Sequence, residues 1–142
     1  LSGKKIAVLG FSFKANTNDT RESPAISICR ELLQEGVNLV IYDPQVNKEQ
    51  IESDLELNEN QNTILEADEG SWKFSKSIIE CTDNADAILI LTEWSEFKKI
   101  NWEDISHRMR KPSWIFDTRC IADLEKARKC GINIWRVGID YK

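Results

Sequence analysis

Two cations lie in an unusually long connection between a predicted strand and a predicted helix. Lys14 and Arg21 belong to the stretch GFSFKANTNDTRESPAI, which runs over residues 10–26. The connection itself takes residues 11–23, whereas a strand-to-helix connection usually needs about 2–6 residues. Ammonium and guanidinium groups are the side chains that pair best with phosphate oxygens. The loop is therefore predicted to hold an anion.

A third cation follows another predicted strand. Arg119 ends the stretch KPSWIFDTR, in which residues 113–117 have the pattern of a strand. In doubly wound parallel sheets ligands bind at the carboxyl edge, where the strand order reverses, and in the common order 3-2-1-4-5-6 the first and fourth strands flank that crevice and the fifth, which precedes Arg119, adjoins it. Lys14 and Arg119 are then expected to face one phosphate group from two sides, each contact contributing roughly 1.5–3 kcal/mol.

Aromatic side chains near these cations are candidates for contact with a base or a sugar. Phe11 and Phe13 lie in the loop, and Trp94 belongs to the sequence TEW that follows the predicted strand 86–92. Gly10 is not followed by the second and third glycines of a GxGxxG fingerprint, so no dinucleotide cradle is specified. We predict that a nucleotide is bound here by side chains, with a merely solvated loop as the alternative.

The elements that must position these residues alternate along the chain. Short apolar runs, typical of strands covered on both faces, occupy residues 4–10, 38–43, 86–92, 113–117 and 132–137, with a shorter run near Trp72–Phe74. Helical periodicity predicts helices at about Pro24–Glu35, Lys48–Leu55, Lys76–Asn84, Trp102–Met109 and Ile121–Lys129. This alternation predicts a doubly wound, Rossmann-like α/β domain, with a mainly parallel sheet of roughly five to six strands and helices on both faces.

Composition and charge limit the function further. The formal net charge of −5 argues against nucleic acid as a partner, and no apolar run of about 18 residues predicts a membrane span. A single histidine and four cysteines without CxxC spacing predict neither a metal site nor a disulfide, as expected of a cytoplasmic protein. Residues 49–72 contain eight acidic residues and no basic one, which predicts an acidic insertion at about 49–70. No signal peptide is expected, and a start at Leu1 indicates a piece of a longer chain.

Four stretches in order, GFSFKANTNDTRESPAI, IYDP, TEW and KPSWIFDTR, resemble the C-terminal domain of the UDP-glucose/GDP-mannose dehydrogenase family. The resemblance covers essentially the whole chain and implies one UDP-sugar-binding domain, residues 1–142, of a longer dehydrogenase. It also implies that the complete enzyme oxidises the C6 alcohol of a nucleotide sugar to a carboxylate with two NAD⁺. Those cofactors would be bound mainly by an N-terminal domain outside this sequence.

The same resemblance implies roles for individual residues. Phe13 and Lys14 match positions that contact the UDP-sugar, and Arg119 matches a substrate-binding arginine. Arg21 matches an arginine that reaches NAD, so that one long loop would touch both ligands. No segment matches the motif of the catalytic cysteine. We therefore expect no catalytic residue in this chain and no turnover by the chain alone.

The pattern is most similar to family members that oxidise UDP-glucose to UDP-glucuronate. The expected partners are the N-terminal and central domains of the same polypeptide, in an enzyme that is a homo-oligomer when complete. Two alternatives remain open at this point. In the first alternative, the chain is the same domain of a GDP-mannose or UDP-N-acetylhexosamine dehydrogenase. In the second, it is a stand-alone nucleotide-binding module without catalysis.

Overall fold

A six-stranded parallel sheet forms the centre of the molecule. The computed structural model describes residues 3–56 and 70–136. The strands are β1 (Lys5–Leu9), β2 (Asn38–Tyr42), β3 (Trp72–Phe74), β4 (Ala87–Ile90), β5 (Trp114–Asp117) and β6 (Asn133–Arg136). They follow the order β3-β2-β1-β4-β5-β6, and every neighbouring pair is parallel. The doubly wound class and its strand order are confirmed, including the short strand at Trp72–Phe74.

Helices lie on both faces of the sheet. They are α1 (Pro24–Gln34), α2 (Lys48–Leu55), α3 (Ile78–Thr82), α4 (Trp102–Arg108) and α5 (Leu124–Lys129). Two of them begin later than predicted because a capping side chain stops the N-terminal end: Ser77 accepts the Glu80 N–H before α3, and Asp123 accepts the Lys126 N–H before α5. A 3-10 helix, Ser95–Lys99, was not predicted.

The helix α1 begins at Pro24, as its sequence predicts, and ends at Gln34, one residue before the predicted end. The Ser23 side chain caps it by accepting the Ala25 N–H at 3.2 Å, and Pro24 occupies its first turn. Gly36 follows with φ of 82°, a conformation that glycine adopts at little cost. Because α1 directly follows the cation-bearing loop, the cap at Ser23 also determines the residue at which the loop ends.

Each face of the sheet has its own apolar core. On the face covered by α1 and α2, strand residues pack with helix residues: Val8, Ile41, Trp72, Ala25, Cys29 and Ile51. On the face covered by α3, α4 and α5 the corresponding group is Leu9, Ile88, Ile115, Cys81, Ile105 and Ala127. Burial on both faces explains why the strands are almost continuously apolar. Removing apolar surface from water stabilises the folded state by about 25 cal/mol per Å².

One part of the α1 face remains uncovered. Trp114 on β5 is 40% exposed and Trp135 on β6 is 45% exposed. The Phe116 ring lies between them, with its centroid 5.9 Å from that of Trp114 and 6.3 Å from that of Trp135. The edge of the sheet formed by β5 and β6 therefore presents a row of aromatic rings to solvent.

Three further predictions meet the structure here. All four cysteines are free thiols. Within residues 3–56 and 70–136, no helix has the length and apolar character needed to cross a membrane. Lys48–Leu55 forms a helix as predicted, whereas residues 57–69, the greater part of the predicted acidic insertion, lie outside the described residues.

Candidate functional site

A buried aspartate fastens the start of the cation-bearing loop. Asp43 directly follows β2 and is 3% exposed. Its two carboxylate oxygens accept backbone N–H groups at 2.8–3.0 Å from Phe11, Ser12, Gln45 and Val46. The indole Nε1 of Trp94 donates to the same carboxylate at 3.2 Å. Five N–H donors thus replace the hydrogen bonds to water that this carboxylate loses on burial.

A close approach between β1 and β4 fixes the first residue of the loop. Gly10 has φ of 97°, and a Cβ atom there would lie 2.4 Å from the Cβ of Thr92. The Thr92 hydroxyl donates to the Ser12 carbonyl oxygen at 2.9 Å. Only glycine allows the loop to leave the sheet so close to the neighbouring strand end. The loop therefore begins directly above the crevice between β1 and β4.

The loop is held by its own hydrogen bonds rather than loosely solvated. Phe13 N–H donates to the Asp19 carbonyl oxygen at 2.7 Å and closes a turn. The Ser12 hydroxyl donates to the Lys14 carbonyl oxygen at 2.9 Å. Further along, the Thr20 hydroxyl donates to the Asp54 carboxylate of α2 at 2.6 Å. These contacts order the segment that carries Lys14.

A second buried aspartate shapes the turn after β5. Asp117 is fully buried and accepts the backbone N–H groups of Arg119, Ile121 and Ala122 at 2.9–3.1 Å. The Arg136 guanidinium, from the end of β6, also donates to it at 3.3 Å. This tight turn directs the Arg119 side chain back over the end of β4, where its Nε donates to the Leu91 carbonyl oxygen at 2.9 Å.

Arg119 reaches the cation-bearing loop. Its Nη2 donates to the Phe13 carbonyl oxygen at 3.3 Å, and its Nε lies 3.6 Å from Oε2 of Glu93. The other oxygen of Glu93 accepts the Ala15 N–H at 3.2 Å. Residues on both sides of Lys14 are therefore tied to Arg119 or to its carboxylate partner. The backbone of Lys14 thus lies beside the contact between Phe13 and Arg119, at the crevice that the strand order predicts.

Arg21 stands apart from that contact. Its side chain is 88% exposed, and its guanidinium forms two hydrogen bonds to Asp19 at 2.9 and 3.0 Å. These hydrogen bonds are the main cause that lowers the pKa of the Asp19 carboxyl to about 2. Because the Arg21 guanidinium donates its hydrogen bonds to Asp19, the structure does not join Arg21 to the contact between Phe13 and Arg119.

The expected ring surface is only partly correct. Phe13 is 42% exposed at the crevice. Phe11 is completely buried because its ring belongs to the core under α1, and Trp94 is 7% exposed because its indole packs inward and donates to Asp43. The prediction that Phe11 and Trp94 offer their rings to a ligand is therefore wrong. Phe13 is the ring of this trio that a ligand can reach.

Three carboxylates that organise the site were not among the predicted binding residues. Asp43 and Asp117 hold the two turns, and Glu93 links them. The signal that could have found them is their position, since each follows directly or closely on a strand end, where backbone N–H groups of the next loop need acceptors. Among residues 3–56 and 70–136 no cluster of His, Cys, Asp and Glu could hold a metal ion.

A separate cleft of about 360 Å³ opens at the ends of β2 and β3. Its lining consists of Tyr42, Asp43, Pro44, Gln45, Val46, Asn47, Phe74 and Lys76. The cleft contains none of Phe13, Lys14 and Arg119, and it lies toward the β3 edge rather than over the crevice between β1 and β4. Lys76 is thus an exposed cation at the same rim of the sheet but outside the candidate site.

Comparison with known proteins decides the family. The model of the UDP-glucose/GDP-mannose dehydrogenase family, UDP binding domain, matches residues 7–124. The chain belongs to this family. A relative named UDP-glucose 6-dehydrogenase 1, from Glycine max, is 41% identical over 145 residues, which cover 97% of this chain and 30% of the relative. The chain therefore spans less than a third of the length of the relatives it matches.

Solved structures support the fold. The UDP-D-ManNAc dehydrogenase of Pyrococcus horikoshii matches with a TM-score of 0.69 and 31% identity, over 96% of this chain and 26% of that one. The NDP-N-acetyl-D-galactosaminuronic acid dehydrogenase of Methanosarcina mazei Go1 has a TM-score of 0.75 and 21% identity, covering 98% of this chain and 25% of that one. The second likeness concerns the fold alone.

Proposed function

We propose that this chain is the UDP-sugar-binding domain of a UDP-glucose 6-dehydrogenase, which oxidises UDP-glucose to UDP-glucuronate with two NAD⁺. The hydrogen bond from Arg119 to the Phe13 carbonyl oxygen carries this proposal, because it joins a cation that follows β5 to the backbone beside Lys14 in the loop after β1. Family membership and 41% identity to a relative named for this activity support it.

The chemistry of the crevice suits the diphosphate of a UDP-sugar. A guanidinium has five N–H donors, and within the described residues Arg119 uses two of them, for the Leu91 and Phe13 carbonyl oxygens. Three donors thus remain for phosphate oxygens, and the exposed Lys14 adds a second charge. The half-exposed ring of Phe13 offers an apolar face to the base or the sugar. The chain binds and orients its ligand, and no catalytic residue within it is proposed.

Arg21 suits a second anionic ligand on the outer side of the loop. Asp19 holds its guanidinium in one orientation while leaving the side chain 88% exposed. We propose that it contacts NAD, whose main binding site belongs to an N-terminal domain of the complete enzyme. That domain, a central domain and further copies of the chain are the proposed partners, and the cytoplasm is the proposed compartment.

Calorimetric titration of this chain with UDP tests the proposal. Lys14→Ala and Arg119→Ala should each weaken binding about tenfold to 150-fold, because each removes a charge-assisted contact of roughly 1.5–3 kcal/mol. Lys76→Ala is the matched control, since it removes an exposed lysine from the same rim outside the crevice, and it should leave the affinity unchanged. The proposal is wrong if both crevice variants, shown to be folded by circular dichroism, bind UDP as the unmodified chain does.

A second candidate is a dehydrogenase of UDP-N-acetylhexosamines. The 31% identity and the TM-score of 0.69 to the UDP-D-ManNAc dehydrogenase of Pyrococcus horikoshii favour it over a GDP-mannose enzyme. Competition of UDP-glucose and UDP-N-acetylmannosamine for the same site separates the two UDP-sugar candidates, because an N-acetyl group needs space and a polar partner that glucose does not. Displacement by GDP as effective as displacement by UDP would instead point to a GDP-mannose enzyme.

A further inference from the structure

Glu93 lies between the two halves of the crevice. It follows the end of β4, and its Oε1 accepts the Ala15 N–H of the loop at 3.2 Å. Its Oε2 lies 3.6 Å from Nε of Arg119. One carboxylate therefore contacts both the backbone beside Lys14 and the guanidinium that reaches over from β5.

The state of Oε2 indicates a role beyond simple packing. This oxygen is buried and accepts no hydrogen bond from the described residues. A buried carboxylate oxygen without a donor is costly unless a nearby opposite charge compensates it. The Arg119 guanidinium supplies that opposite charge. The two groups that accept hydrogen bonds from this guanidinium, the Leu91 and Phe13 carbonyl oxygens, are neutral. Glu93 is thus the charged member of the set of groups that hold the guanidinium.

We propose that Glu93 is a positioning residue for the nucleotide diphosphate: it holds Arg119 and the Phe13–Ala15 segment in the relative position that lets both cations bind one ligand. This inference rests on the proposed function of the crevice. The carboxylate acts on the ligand through Arg119 and Lys14 and does not touch it. Because the negative charge of Glu93 repels an anionic ligand, Glu93 favours binding only by holding the two cations in position.

Two substitutions separate the hydrogen bond from the charge. Glu93→Gln keeps an oxygen that can accept the Ala15 N–H and removes the charge beside Arg119, whereas Glu93→Ala removes both. We expect the dissociation constant for UDP, measured by calorimetry, to rise about threefold in the first variant and about tenfold or more in the second, the scale of partly exposed ion pairs and single hydrogen bonds. Glu96→Gln is the control, because Glu96 bonds Tyr42 rather than Arg119 and should leave UDP affinity unchanged.

A double-mutant cycle shows whether Glu93 acts through Arg119. In the Arg119→Ala background the further effect of Glu93→Gln on UDP affinity should fall to less than about twofold, since contacting residues are coupled while independent ones add. Equal effects of Glu93→Gln in both backgrounds would overturn the inference, as would a Glu93→Gln variant that binds UDP as tightly as the unmodified chain or more tightly. Absence of UDP binding by the unmodified chain would instead overturn the proposed function itself.

Discussion

For single residues, the charged groups of Asp43, Arg119 and Arg21 each have defined partners. Asp43 is surrounded by N–H donors, Arg119 by two carbonyl oxygens and Glu93, and Arg21 by Asp19. Such pairing keeps long cationic side chains in few orientations, which lowers the entropy lost when a ligand binds. A solvated lysine or arginine on an ordinary loop has no comparable restraint.

The pair of Asp19 and Arg21 makes a prediction about pH. The pKa of Asp19 is lowered from 3.8 to about 2, chiefly by its hydrogen bonds to Arg21. Because the pKa is lowered in the folded state, the pair is complete above the ordinary pKa and is lost only as the pH falls through about 2. Carboxyl ¹³C NMR should therefore detect the Asp19 titration near pH 2, and at a higher pH in the Arg21→Ala variant, which keeps the hydrogen bond from the backbone N–H of residue 21 but loses those from the guanidinium. A titration near pH 4 in the unmodified chain would contradict the paired geometry.

Among the secondary-structure elements, the ends of parallel strands determine where the loops begin. The loop after β1 leaves the sheet at Gly10, above Thr92 at the end of β4. The turn after β5 folds around Asp117, and the segment after β2 folds around Asp43. Residues that are far apart in sequence meet at this edge because β1 and β4 are neighbours in the sheet.

Gly10→Ala should destabilise the domain far more than a matched glycine substitution. The new Cβ would lie 2.4 Å from the Cβ of Thr92, in a backbone with φ of 97°. We expect the free energy of unfolding in urea to fall by about 2–5 kcal/mol, from overpacking together with backbone strain. Gly131→Ala is the control. Gly131 also has positive φ, 86°, but apart from its chain neighbours no heavy atom of the described residues lies within 4 Å of the position that the new methyl group would take.

The control should lose only the strain, about 1–2 kcal/mol. The difference between the two variants then measures the close approach of β1 and β4 at the crevice. Equal losses of stability in Gly10→Ala and Gly131→Ala would mean that the loop can move away from Thr92 without cost. In that case Gly10 would not determine where the loop begins.

In the molecule as a whole, the two sheet faces are covered unequally. The face packed by α3, α4 and α5 is buried as far as Ile134 on β6. On the opposite face, α1 and α2 pack on the other half of the sheet, and the rings of Trp114, Phe116 and Trp135 remain in an exposed row. The tryptophans of this protein are therefore divided into two classes by their access to solvent.

Fluorescence quenching by acrylamide tests this division. Trp72, Trp94 and Trp102 are each at most 7% exposed, whereas Trp114 and Trp135 are 40% and 45% exposed. We expect a readily quenched fraction of the emission that disappears in the double variant Trp114→Phe and Trp135→Phe. The phenylalanines preserve the aromatic row, so folding should be retained. A quenched fraction that persists in the double variant would mean that a buried tryptophan is accessible.

Local sequence patterns were sufficient to predict the six strands and the five α-helices, though not the 3-10 helix Ser95–Lys99, since apolar runs, helical periodicity and caps such as Ser23 act over a few residues. Together with the rule for strand order, they also placed Lys14 and Arg119 at one edge. Which rings face solvent and which groups hold the cations followed only from the folded chain. Phe11 and Phe13 are two residues apart, yet one is core and the other is exposed. Arg119 and its acceptor Phe13 are 106 residues apart. Such partners depend on which strand ends become neighbours in the sheet. The conformational preferences of short segments do not determine that arrangement.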